Sequence, residues 1–305
     1  MDYLSINYIE YGRAGMRLIR IDKKGNFEPE NSEFVEGTKE KGLVGLLNNL
    51  NQVHNCDAIQ SLKQLPDESI DLCVTDPPYI LNKISGSSTS VGMAEKWQGL
   101  LKAGDKTAGI ENKIRFKDWL PELYRVMKDR SHFYVFVNDK NVQDILNEST
   151  KVGFKLHNIL VWKKNNKTPN KYYMKDCEFI VFFRKGKSFC INNKGDSQYQ
   201  DIEYDEQDLI GNELWEEQVL KIKNINGKNK LHPTQKPVKL LEKLILNSSL
   251  PNQIVLDLFM GSGSTAVACI NTGRNYIGFE IDKKYFDICN ERIFISKNNK
   301  IKQKV

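Results

Sequence analysis

The chain has 305 residues, 40% of them hydrophobic and 28% charged, and a formal net charge of +6. That is enough sequence for one large domain or two smaller ones with a proper core. No run approaches the roughly 18 apolar residues a membrane span needs, and Met1-Asp2-Tyr3-Leu4 lacks the basic-then-apolar design of a signal peptide, so a cytoplasmic protein with no membrane partner is expected.

The lysine excess fits a polyanion partner and equally fits a solvated surface. The cysteines, Cys56, Cys73, Cys177, Cys190, Cys269 and Cys289, form no C-x-x-C pair and no cysteine–histidine cluster at finger spacing. Zinc is therefore not expected, and no metal site is assigned. None of these cysteines follows a proline in a strand-end loop, where the nucleophile of cytosine-C5 methylation would stand.

Residues 1–50 read as an N-terminal extension of unassigned role, with a strand over Met16–Ile21 and a charged loop from Glu28 to Lys41. A short strand over Gln52–Asp57 and a helical turn over Ala58–Leu65 lead to an apolar strand, Ile70–Val74. Residues 80–112, rich in Gly, Ser, Lys and Thr, are expected to form a mobile loop, since so long a structureless connection is usually functional or disordered. Helical spacing marks Phe116–Met127 and Val142–Thr150; strands are expected at His132–Val137, Leu156–Trp162 and Glu178–Phe183. Residues 186–231 turn polar and mixed in charge. Pro237 opens a helix. Strand Ile254–Phe259, helix Ser264–Asn271, strand Tyr276–Phe279 and helix Lys283–Phe294 follow, with a basic tail from 298 to 305. Alternating strands and helices predict an α/β fold with a mostly parallel, doubly wound sheet.

Two stretches carry chemistry. Val74-Thr75-Asp76-Pro77-Pro78-Tyr79 ends a strand in two prolines, which fix φ and hold the residue before each in extended conformations. One carboxylate and one ring are thus held on a stiff loop beyond a strand's carboxyl end, where open α/β sheets bind ligands. Such an acceptor beside a ring suits a flat substrate bearing an amino group; the plain alternative is a proline turn with Asp76 as a cap. The second stretch, Asp257-Leu258-Phe259-Met260-Gly261-Ser262-Gly263-Ser264-Thr265, follows a buried strand and opens a helix. Glu280 stands about twenty residues on, where a carboxylate can take the ribose hydroxyls of a nucleoside cofactor.

Taken alone, the glycine element also passes as a nicotinamide dinucleotide fingerprint. A dinucleotide domain needs further strand–helix units after that loop, yet the chain is nearly finished there. The missing strands must come from earlier in the sequence, which makes the sheet circularly permuted. A dehydrogenase also has no use for Asp-Pro-Pro-Tyr at a neighbouring strand end, whereas S-adenosylmethionine (AdoMet) brings both a ribose and a methyl donor.

With those residues in place, the chain resembles the β-class amino-group (N6-adenine or N4-cytosine) DNA methyltransferases, in which the D-P-P-Y block precedes the glycine block. Asp57-Ala58, Leu65-Pro66-Asp67-Glu68-Ser69-Ile70-Asp71, His232-Pro233-Thr234-Gln235-Lys236-Pro237 and Gly278-Phe279-Glu280-Ile281-Asp282 match the same pattern. The resemblance covers roughly residues 52–184 and 232–296. It implies a circularly permuted, Rossmann-like AdoMet-dependent methyltransferase fold with one antiparallel strand and an inserted target-recognition region. In that arrangement residues 51–185 form the catalytic half, 186–231 read the target and 232–297 bind the cofactor.

The resemblance also implies roles for matched positions. Asp76, Pro77, Pro78 and Tyr79 would hold the target amine and base. Asp257, Phe259, Gly261, Ser262 and Gly263 would border the methionine end of AdoMet, Glu280 its ribose, and Asp57 with Ala58 its adenine. Lys236, with Thr234, would lie near the methionine carboxylate, which needs a cationic partner. His232 is the one histidine placed near the site; His54, His132 and His157 read as core or surface. The crowded Lys163, Lys164, Lys167 and Lys171 are candidates for phosphate contacts on double-stranded DNA.

The expected activity is methyl transfer to adenine N6 in a flipped-out base. Alternatives are cytosine N4, an RNA or protein-glutamine substrate, or an inactive nucleic-acid-binding relative. A cognate restriction endonuclease is a conceivable partner, and a monomer and a homodimer are both compatible with the sequence.

Overall fold

The computed structural model describes residues 6–12, 15–21, 27–29, 50–78, 114–168, 173–187, 191, 217–225, 230–232 and 234–302. The chain divides into two units, Met1–Lys41 and Gly42–Val305. The first contains three antiparallel strands in sequence order, β1 (Ile6–Gly12), β2 (Gly15–Ile21) and β3 (Phe27–Pro29). Strand β2 is the one expected near Met16–Ile21. Strand β1 pairs with it over its whole length, from Ile6 opposite Ile21 to Gly12 opposite Gly15.

The second unit is built on one eight-stranded sheet. Its strands in chain order are β4 (Gln52–His54), β5 (Ile70–Thr75), β6 (Met127–Val137), β7 (Lys155–Thr168), β8 (Lys175–Arg184), β9 (Val219–Lys221), β10 (Ile254–Asp257) and β11 (Asn275–Phe279). Across the sheet the order is β4-β11-β10-β5-β6-β8-β7-β9. Every pairing is parallel except those of β8, which runs against β6 and β7. The sheet therefore has the single antiparallel strand that was expected. The permutation is also visible: β10 and β11, encoded last, lie between β4 and β5, encoded first.

Helices cover both faces, which is why β5 is apolar almost throughout rather than alternating. On one face α1 (Ala58–Leu62), α2 (Phe116–Val126) and α3 (Val142–Val152) pack around Leu62, Trp119, Leu123, Phe133 and Ile277. On the other, α4 (Val238–Ser248), α5 (Ser264–Thr272) and α6 (Lys283–Lys302) pack around Leu241, Leu244, Tyr134, Tyr276 and Cys289. Strand β6 shows the pleat at work, sending Phe133, Val135 and Val137 to the first core and Tyr134 and Phe136 to the second.

Three differences from the sequence expectation stand out. Strands β7 and β8 extend well past Trp162 and Glu178, as a hairpin whose far end runs beyond the end of β6, where Val137 pairs with Phe179. Helix α6 continues to Lys302, through the start of the expected basic tail, and the Lys300 ammonium bonds the Ile270 carbonyl at the end of α5. Part of the expected target-recognition region is scaffold: β9 pairs with Val161–Lys163 as the edge strand of the sheet. The loop at 80–112, residues 192–216 and the acidic stretch Asp201–Asp208 lie outside the described residues.

Candidate active site

Strands β5 and β10 are neighbours, with Leu72 opposite Val255 and Cys73 opposite Leu256, so their carboxyl ends emerge side by side. The proline loop leaves β5 and the glycine loop leaves β10. Thr75 Oγ1 donates to Asp257 Oδ1 at 2.9 Å, a buried bond between residues 182 apart in sequence. Asp257 also accepts from Thr265 Oγ1 at 2.6 Å and from the Phe259 amide at 3.1 Å. Burial pushes its carboxyl up to about 6; the three donors pull the other way, and the charge of Asp76 adds to the rise.

Asp76 is partly exposed, Pro77 buried and Pro78 exposed. Both prolines line a cleft with Ile114, Phe116, Trp119 and Asn141. Tyr79 lies outside the described residues.

The glycine loop turns tightly into α5. Gly263 has φ +83°, and a Cβ there would stand 2.5 Å from Cys289 Sγ on α6. The Gly261 amide donates to Glu280 Oε2 at 2.7 Å, and the Asp282 amide to Oε1 at 2.8 Å. Burial raises the Glu280 carboxyl above its ordinary value, and these two bonds oppose the rise. Ser262 is buried and held by the Arg292 guanidinium, which reaches its Oγ at 3.0 Å. Phe259 meets Trp119 edge-on, with ring centroids 6.0 Å apart.

One strand further out, the His54 carbonyl accepts from the Glu280 amide at 3.0 Å, and Asn55 Nδ2 donates to the Glu280 carbonyl at 2.8 Å. Asp57 caps α1, accepting from the Gln60 amide at 2.9 Å, and Ala58 is buried beneath it. Four adjacent strand ends (β4, β11, β10 and β5) thus bring Asp57, Glu280, Asp257 and Asp76 to one edge of the sheet.

The segment before α4 closes over that edge. His232 meets Tyr285 edge-on at 4.1 Å, and its ring is the nearest neighbour of a Cβ built on Gly261, at 3.8 Å. Its Nδ1 accepts from the Thr234 amide at 3.2 Å. Burial holds the His232 imidazole below its ordinary value, with Asp76 opposing.

Lys236, expected near the cofactor carboxylate, lies between two side-chain carboxylates. Its Nζ is 2.5 Å from Asp76 Oδ2 and 3.3 Å from Glu178 Oε2, over the Phe136 ring at 4.9 Å. Burial alone would lower this ammonium, but the two carboxylates outweigh it and raise it.

The lysines expected on DNA are divided. Lys163 pairs with Asp176 and Lys164 with Glu178, both across the β7–β8 hairpin. Lys167 is exposed, and Lys171 lies outside the described residues. His132 is buried against Ser248 at 2.8 Å, and burial pushes its imidazole down to about 3, so it is a neutral core residue. His157 lies exposed on the Phe182 ring.

Thr75, Thr265, Asn55 and Glu178 take part in the site without being singled out by the sequence motifs. Glu178 left one signal, a carboxylate opening the apolar run Phe179–Phe183.

The residues present suit AdoMet. Each Glu280 oxygen accepts one backbone N–H and retains a lone pair for a ribose hydroxyl. The buried Asp257 gains from a nearby cation, and the glycine loop lets a ligand approach the backbone.

The DNA methylase family model matches residues 70–291. The chain is 32% identical over 262 residues to the Type II methyltransferase M.HinfI of Haemophilus influenzae, covering 80% of this chain and 68% of that protein. It is 30% identical over 251 residues to M2.DpnII of Streptococcus pneumoniae, covering 79% and 88%. The M1.HpyAVI–SAM complex shares its architecture at a TM-score of 0.55 and 25% identity, over 79% of this chain and 98% of that one. The cytosine-N4-specific PvuII DNA methyltransferase shares the fold at a TM-score of 0.56 and 20% identity, over 81% and 91%.

Proposed function

The chain belongs to the DNA methylase family, and from that premise we propose that it methylates the exocyclic N6 of a flipped-out adenine in double-stranded DNA, using AdoMet. The observation that carries this reading is the Thr75–Asp257 bond, which ties the proline loop to the glycine loop. An acceptor for an amine and a cradle for a nucleoside cofactor then share one edge of the sheet.

An exocyclic amino nitrogen is a poor nucleophile because its lone pair is delocalised into the ring. Asp76 and the Pro77 carbonyl each accept one of its N–H groups, drawing the nitrogen toward a tetrahedral shape and freeing the lone pair. When bound, AdoMet supplies an electrophilic methyl on a sulfonium sulfur, so that the N–C bond forms as the S–C bond breaks. The nitrogen's surplus proton leaves by way of Asp76 to solvent. Orientation and electrostatics supply the acceleration, with no covalent enzyme intermediate.

Glu280 holds the ribose, Asp57 and Ala58 border the adenine, and Asp257, Phe259, Gly261, Ser262 and Gly263 line the methionine end beside His232 and Thr234. Base pairing buries the amine in a duplex, so the target must be extruded. Tyr79 stacks on it, worth roughly 1–3 kcal/mol. Residues 186–231 read the target outside β9, and Lys167 with Lys171 contacts phosphates. Aspartate at position 76, where cytosine-N4 enzymes commonly carry serine, favours adenine. A cognate restriction endonuclease is the matching partner in the cytoplasm.

Methylation-sensitive sequencing of DNA from cells expressing the protein tests the reading directly. N6-methyladenine at one short sequence is expected; N4-methylcytosine in its place overturns the choice of base. Asp76→Ala should abolish transfer while AdoMet still binds, and retained turnover would remove Asp76 from the mechanism.

A further inference from the structure

Glu178 is a carboxylate the reaction above does not use, although it lies against the residues that do. It stands on β8 where that strand passes the end of β6, with its side chain 25% exposed. Its Oε2 is 3.3 Å from Lys236 Nζ, and its Oε1 is bonded by Lys164. Lys236 is only 7% exposed and also has Asp76 Oδ2 at 2.5 Å. The three groups form a chain of contacts, Glu178–Lys236–Asp76, drawn from β8, the segment before α4 and the proline loop.

We propose that Glu178 is a positioning residue for methyl transfer, anchoring the Lys236 ammonium so that Asp76 keeps one orientation. The proposal rests on the reading of Asp76 as the acceptor of the target amine. Two physical arguments support it. A buried ammonium needs an anionic partner at every stage of the reaction. When Asp76 takes the proton from the amine it stops being that partner, and Glu178 remains. Secondly, an ammonium held by one carboxylate alone can follow it through several rotamers, whereas one anchored by a second carboxylate restricts the first.

Other charges face the same group. Lys164 and Lys230 lie close enough to Glu178 to influence it or be influenced by it, and His232 senses Asp76 and Lys236. Burial would raise the Glu178 carboxyl, but Lys236 and Lys164 outweigh it and hold it below its ordinary value, so it is anionic at neutral pH. The competing assignment gives Lys236 to the cofactor's carboxylate. The two make opposite predictions about cofactor affinity.

The test compares wild type, Glu178→Gln, Lys236→Met and the double variant on unmethylated bacterial genomic DNA with labelled AdoMet. Isothermal titration of AdoMet in the absence of DNA gives the second readout. Glu178→Gln should lower kcat by about 10- to 100-fold, as misplacement of a reacting group does. Its AdoMet Kd should stay within about threefold, the pattern of an interaction expressed in the transition state. In the Lys236→Met background, Glu178→Gln should add little, since the two act through one contact.

A wild-type kcat in Glu178→Gln would overturn the proposal, as would multiplicative losses in the double variant. So would a loss of AdoMet affinity that tracks the loss of kcat, which would return Lys236 to the cofactor. If Glu178→Gln does not fold, Glu178→Asp, which draws the charge back by one methylene, should lose kcat and keep AdoMet affinity; unchanged kcat there overturns the proposal equally. A wild type that methylates no DNA refutes the function itself, whereas an active wild type with an indifferent Glu178 refutes only the role of Glu178.

Discussion

At Asp257 burial and function pull in opposite directions. Its carboxyl is raised from 3.8 to about 6, so between those values the folded protein binds more protons than the unfolded chain. Stability contributed here is therefore present at low pH and lost as pH rises through that window, by roughly 3 kcal/mol. A cationic ligand beside the ionised group recovers part of that loss. AdoMet affinity should consequently fall as pH drops below about 6, approaching tenfold per pH step of one. Titration calorimetry at pH 5, 6, 7 and 8 measures this, and a flat Kd would mean that no ligand cation meets Asp257. Thr75→Val removes one of the three donors that favour the ionised form. It should move the midpoint of that curve upward and cost about 1–3 kcal/mol at neutral pH. The acid and the glycine loop were legible in sequence because their motifs state a residue type and a spacing. Thr75 and Glu178 were not, because their roles are set by partners 182 and 58 residues away, across strands whose neighbourhood only the sheet order reveals.

At the scale of elements, hydrophobic pattern found the strands wherever a core lies behind them. It failed where the backbone pairs without one. Lys163–Thr168 and Lys175–Cys177 are polar enough in sequence to read as a loop, yet they continue the β7–β8 ladder past the core. Strand β9, three residues long with one buried side chain, gives no periodic signal. The turn into α5 was legible through its glycines, but its reason is packing as well as φ: α6 passes so close that Gly263 faces Cys289 directly. Gly263→Ala combines a left-handed backbone with that clash. A loss of about 1–3 kcal/mol is expected in urea unfolding, with weaker AdoMet binding as the loop shifts. Wild-type stability in this variant would mean that α6 can move away at little cost.

For the molecule as a whole, the order of the strands in space makes the last sixth of the chain indispensable to the first half. Strands β4 and β5, separated by a short helical connection in sequence, are not neighbours; β11 and β10 fill the space between them. A chain cut after Leu250 would leave a gap two strands wide, roughly 14 Å between the flanking backbones at ordinary strand spacing. Leu72, Cys73 and Val53 on the flanking strands would lose Val255, Leu256 and Gly278 as neighbours, and α1 could not close that gap. Helices α5 and α6 would go with the missing strands, removing much of the core built around Tyr276, Cys269 and Cys289. That truncated chain should show no cooperative unfolding transition in urea and no AdoMet binding, even though it retains Asp76, Pro77, Pro78, Tyr79 and Lys236. Supplying residues 251–305 as a separate chain during refolding should restore both, because the sheet requires those strands in place and not their covalent link to Leu250. Cooperative unfolding of the truncated chain by itself would show that β4 and β5 can pair directly, contrary to the observed strand order.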